Sequence, residues 1–151
     1  MSLQAIGKHE EAAKHFESAL ALGADPAATL ASVAVARLSS GQLTRAREAA
    51  QQALALDRAL APAYLVLGVE ELGTGSPERA LLYFQKSIAA NPDFATARAY
   101  RGLAHLKMGE AGEAKAELLW ALASAEGRVE RQQIREYVDR IAESADQTGE
   151  P

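Results

Sequence analysis

The residues able to do chemistry are few and scattered. Histidine occurs three times, as His9, His15 and His105. His9 and His15 stand six residues apart, a spacing that does not bring two imidazoles to one face of a helix as metal ligands. Cysteine is absent, so thiolate ligands and disulfides are excluded. The one glycine-rich stretch, Gly73, Thr74, Gly75 and Ser76, lacks the lysine and the preceding strand of a phosphate-binding loop and reads as a turn between helices. The adjacent acids Glu10 and Glu11, like Glu70 and Glu71, do not face each other on a helix and suit solvated faces better than acid–base work. No serine, histidine and aspartate set stands in a recognisable nucleophile motif. These residues predict no catalytic group, no cofactor and no metal, and they turn attention from reaction to binding.

The elements that would carry a binding surface are helices. The chain has 151 residues, and its 48% hydrophobic fraction is dominated by alanine and leucine, with few β-branched or aromatic residues. A 24% charged fraction is the balance of a soluble globular protein. Net charge is −4, and lysine and arginine are dispersed among acids without forming a stripe, which disfavours a nucleic-acid partner. No apolar run reaches the roughly 20 residues of a membrane span. The opening Met1, Ser2 and Leu3 leave room for a longer natural protein with further segments.

A single period runs through the sequence. Gly7, Gly41, Gly75 and Gly109 follow one another at intervals of 34 residues. Ala12, Ala46, Ala80 and Ala114 repeat at the same interval, as do Ala19, Ala53, Ser87 and Ala121. Glycine at such a position is expected where a helix ends and the chain turns, and the alanines are expected where two helices approach closely. Each period divides into two helix-sized apolar patterns, so the unit is a helical hairpin. Asp25 with Pro26 and Ser76 with Pro77 read as helix starts, and Asn91 with Pro92 as a stop. Helices are predicted at about 8–22, 26–39, 43–57, 62–72, 77–90, 93–108 and 110–125. A last amphipathic helix, from Arg128 to Ser144, carries Val129, Ile134, Tyr137, Val138 and Ile141 on one side. Its mixed charges suit a solvated outer face, with a docking surface as the alternative. Trp120 is open to two readings, a partner anchor or packing against this helix.

The stretch from Ala27 to Arg128 resembles three consecutive tetratricopeptide repeats preceded by half of a fourth. In the middle copy Tyr64, Leu67, Gly68, Ala80, Phe84 and Pro92 fill the slots that characterise the family. Leu30, Val33, Ala34, Ala46 and Ala50 fill them in the copy before, where Arg58 replaces the proline. In the copy after, Gly102, Ala114, Leu118 and Ala121 match, but Arg98 and Arg101 stand where large apolar residues are expected. The resemblance implies an all-α, right-handed α-solenoid. It divides into a half repeat at 4–26, repeats at 27–60, 61–94 and 95–128, and a capping helix at 128–144. A disordered tail is expected at 145–151.

It also implies a function. In such arrays the first helix of each hairpin lines a concave groove that holds a segment of another protein. Here that face offers Val35, Leu38, Leu65, Val69, Leu72, Leu103 and Leu106. The lysines and asparagines with which some members clamp a C-terminal carboxylate are replaced by residues such as Ala31, Val35, Pro62 and Val66. The resemblance therefore favours an interaction scaffold for a peptide or partner protein with an apolar or amphipathic segment. Two alternatives stand beside it. One is a structural unit that self-associates through the N-terminal half repeat, where Ala12, Phe16, Ala19 and Leu20 lack a first helix to meet. The other is the recognition domain of a larger enzyme.

Overall fold

A computed structural model of the chain describes residues 3–124, 131–132, 134–136 and 139. Among them are seven helices: α1 (Leu3–Ala21), α2 (Pro26–Ser39), α3 (Leu43–Leu56), α4 (Ala61–Gly73), α5 (Pro77–Ala90), α6 (Ala95–Lys107) and α7 (Ala111–Ser124). Helices α2 with α3, α4 with α5, and α6 with α7 form hairpins, and α1 packs on α2. Each hairpin then packs on the next through α3 with α4 and α5 with α6, while α4 touches both α2 and α6. The result is a helical solenoid in which neighbours share one continuous core. The described residues beyond α7 are helical at 131–132, 134–136 and 139. Most of the amphipathic helix expected at 128–144, and all of the tail expected at 145–151, lie outside the described residues.

The turns show why glycine recurs. Gly41, Gly75 and Gly109 have φ of 80°, 86° and 80°, in the left-handed region that costs an L side chain steric strain. At each, the glycine N–H bonds a carbonyl three residues back and the next N–H reaches five back, closing the preceding helix. The pairs are Gly41 to Leu38 with Gln42 to Arg37, Gly75 to Leu72 with Ser76 to Glu71, and Gly109 to Leu106 with Glu110 to His105. Gly7 departs from the expectation. It lies inside α1, which starts at Leu3, because no helix precedes α1 here that the chain would have to turn away from. At the starts of helices, Asp25 Oδ1 accepts the N–H of Ala27 at 3.2 Å. Ser76 stands at the N-cap of α5, but its hydroxyl makes no capping bond.

The alanine register marks close contacts. Ala46, Ala80 and Ala114 are fully buried, as are Ala53, Ser87 and Ala121. Ser87 is tolerated in an alanine slot because its hydroxyl donates to the Ala61 carbonyl oxygen at 2.7 Å. Side-chain volumes are complementary across each hairpin. Gly68 faces Phe84, whose ring occupies the space a Cβ would need, and Gly102 faces Leu118. In the first hairpin the same two positions are Ala34 and Ala50, both fully buried.

Two sequence readings change. Glu71 is not on a solvated face: it is 5% exposed and pairs with Arg79 at 3.4 Å, while Glu70 turns to Arg47 at 3.0 Å. The stripe of α4 that carries Leu67 and Gly68 continues inward one turn later, and Glu71 follows it. Arg98 and Arg101 do not break the third hairpin. Both pair with Glu117 of α7, and the Arg98 guanidinium lies 3.8 Å from the centroid of the Trp120 ring. Their alkyl stems fill the apolar slots while the charged ends meet a carboxylate and an aromatic face.

Candidate interaction groove

Helices α2, α4 and α6 stand in a row, and the residues expected to line the groove lie on them. Val35 and Leu38 on α2 are partly buried and pack against the core of the first hairpin. Leu65 and Leu72 on α4 are 6% and 7% exposed and belong to the core of the second hairpin. Val69 and Leu103 are partly buried against that same core, and Leu106 against the core of the third hairpin.

Four of the seven come together around one cleft. Val69, Leu72, Leu103 and Leu106 line a cleft of about 470 Å³ with Gly73, Tyr100 and Lys107. The cleft exists because α4 and α6 touch only lightly and α4 ends in a residue without a side chain. Its floor is firm: the Tyr100 ring stacks on Phe84, centroids 6.0 Å apart. Lys107 is the only cation among the lining residues. Val35, Leu38 and Leu65 do not line this cleft.

Tyr100, Gly73 and Lys107 are absent from the face expected on sequence grounds. Tyr100 precedes Leu103 by three and Lys107 by seven residues, so the helical stripe that picks out Leu103 and Leu106 could have found both. Gly73 carries no such signal, since its contribution is the absence of a side chain.

The comparisons with known proteins agree with this architecture. A family profile described as tetratricopeptide repeat matches residues 61–94. The chain is a tetratricopeptide repeat array. No curated protein matches it. Among solved structures, a thermophilic tetratricopeptide repeat protein of Thermus thermophilus is 27% identical. That match covers 94% of this chain and 77% of the other, with a TM-score of 0.76. The type III secretion chaperone SycD of Yersinia enterocolitica, in complex with a peptide of the translocator YopD, is 20% identical. It covers 85% of this chain and 98% of its own, at a TM-score of 0.68. The first tetratricopeptide domain of Spaghetti, bound to the HSP90 peptide SRMEEVD, is 15% identical over 80% of this chain and 94% of its own, at a TM-score of 0.66.

The other residues with reactive side chains are spread along the array. His105 Nδ1 lies 2.6 Å from Glu110 Oε2 across the α6–α7 turn, while His9 and His15 are on α1. Among the described residues no three histidine, aspartate or glutamate side chains gather as a metal-binding group. No helix among them is long and apolar enough to cross a membrane.

Proposed function

We propose that this tetratricopeptide array is an interaction scaffold that holds an apolar or amphipathic segment of a partner protein in the cleft between α4 and α6. The observation that carries the reading is the convergence of Val69, Leu72, Tyr100, Leu103 and Leu106 on one open cleft with a single cation at its edge. Such a surface rewards buried apolar area and offers little to a run of carboxylates. SycD and Spaghetti, which share the fold, hold peptides in their solved complexes, and this supports a binding role over a catalytic one. The HSP90 peptide held by Spaghetti is acidic, and by the chemistry of its cleft this chain suits a different sequence.

A selection from a displayed random-peptide library tests it. Peptides recovered on the intact chain are expected to carry two or more large apolar residues at helical or extended spacing. Raising salt from about 0.05 to about 0.5 M should change their affinity less than about threefold, since few charges meet. Val69→Glu with Leu103→Glu should keep its helical signal and lose those peptides. A folded double variant that still binds them would contradict the assignment.

One observation favours self-association as a second activity. Phe16 is 38% exposed, whereas Ala50, Phe84 and Leu118, at the same place in the later hairpins, are fully buried. Those three rest on the first helix of their own hairpin, and among the described residues α1 has none. A second copy that covers Phe16 would appear as a dimer in sedimentation, and Phe16→Ser should restore the monomer. A monomer at about 0.5 mM for the parent chain would exclude this reading.

A further inference from the structure

A second cleft lies over another side of α2 from Val35 and Leu38. It measures about 350 Å³ and sits between α1 and α3, with Leu30 and Val33 of α2 and Ala49 of α3 as its apolar lining. Glu48 and Gln52 stand at its α3 rim, both exposed. Arg37 closes one wall, its guanidinium engaged by Glu17 at 2.7 Å and by Gln42 at 2.8 Å. Glu48 has no ion-pair partner among the described residues.

The 34-residue period supplies the comparison. The positions of Leu30, Val33, Ala49 and Gln52 are taken by Tyr64, Leu67, Tyr83 and Lys86 in the second hairpin. In the third they are Arg98, Arg101, Glu117 and Trp120. There the chain closes the seam with its own side chains. Tyr83 packs back against the core of the first hairpin, and the Lys86 ammonium stands over the rings of Tyr64 and Tyr83 at 5.9 and 5.8 Å. In the third hairpin Arg98 covers Trp120 at 3.8 Å. Both filled seams therefore hold an aromatic ring with a cation on its face, and the two swap helices between hairpins. The first seam has neither ring nor cation. It has an open apolar floor of similar placement and an uncompensated carboxylate at its edge.

We propose that this cleft receives, from a partner protein, an aromatic side chain flanked by a basic residue. The ring would fill the space over Leu30, Val33 and Ala49, and the cation would meet Glu48. The partner then completes in trans the aromatic–cation pair that the chain builds for itself twice. This surface is separate from the groove between α4 and α6, and its test is independent of that assignment.

The probe is a blocked tripeptide of tyrosine between two arginines, titrated into the full chain and followed by methyl NMR. Saturable shifts are expected at the methyls of Leu30, Val33 and Ala49, with an affinity on the order of millimolar for so small a contact. The same peptide with a central alanine should give no such shifts. Flanking glutamates in place of arginines should weaken binding by roughly threefold or more, and Glu48→Lys should do the same to the arginine peptide. Gln52→Trp places a ring where the third hairpin has Trp120, and Ala49→Tyr places one where the second has Tyr83. Each should fold, keep or raise the melting temperature, and abolish the response. Absence of saturable shifts in the parent chain overturns the proposal, as does their appearance at Val69 and Leu103. Unchanged shifts in both filled variants, or equal binding of the glutamate-flanked peptide, would overturn it too.

Discussion

At the scale of single residues, the array is held by matched volumes at the waist of each hairpin. Gly68 leaves room for Phe84, Gly102 for Leu118, and in the first hairpin two alanines meet. A methyl group at Gly68 would press into the Phe84 ring, which is fully buried and has nowhere to retreat. Gly68→Ala should therefore cost about 1–3 kcal/mol despite the better helix propensity of alanine. The paired change Gly68→Ala with Phe84→Ala should recover part of that loss, because it recreates the packing of Ala34 with Ala50. Thermal melts of the two variants and the parent check this. A single variant as stable as the parent would show that the waist is not close-packed. The repeat of alanine and glycine is readable from the sequence because backbone approach demands small residues at fixed spacing. The inward placement of Glu71 is not, since its burial depends on Arg79 from the next helix.

At the scale of elements, the sequence discloses the hairpins well and their exceptions poorly. Helix starts at Pro26 and Pro77 and the turns at Gly41, Gly75 and Gly109 follow from rigid local chemistry, and all appear where expected. Gly7 misleads because a glycine in register signals a turn only if another helix precedes it. Arg98 and Arg101 obscure α6, since the hydrophobic pattern cannot show that an arginine stem will be neutralised by Glu117 and capped by Trp120. The pairing has a direct optical reporter, because Trp120 is the only tryptophan. Arg98→Ala should bare the ring, shift its emission to longer wavelength and increase quenching by acrylamide. The stability loss should be on the order of 1 kcal/mol, as for a half-buried cation over an aromatic face. An unchanged emission spectrum would mean the stacking does not persist in solution.

At the scale of the whole molecule, each hairpin depends on its neighbours, so the ends decide how the array melts. Ile134 is 3% exposed and packs with Ala95, Ala99, Ala114, Leu118 and Ala121, which places it over the last hairpin. Ile134→Asp should lower hydrogen-exchange protection in α6 and α7 while leaving α2 to α5 closer to the parent, because the damage enters at one end. Uniform loss along all helices would argue for a single cooperative block. The groove is partly legible for the same reason as the hairpins: Val69, Leu72, Leu103 and Leu106 recur on one helical face. Sequence pattern cannot tell that Leu65 and Leu72 are largely taken up by the core, or that Tyr100 forms the floor.

Everything proposed for the groove turns on a partner segment seating against α4 and α6. Isotope-labelled methyls of the chain, in complex with a peptide selected on it, report that seating at the level of single side chains. Intermolecular NOEs are expected from the peptide's apolar side chains to Val69, Leu72, Leu103 and Leu106. NOEs confined to α1, α3, α5 or α7, with none to these four residues, would contradict it.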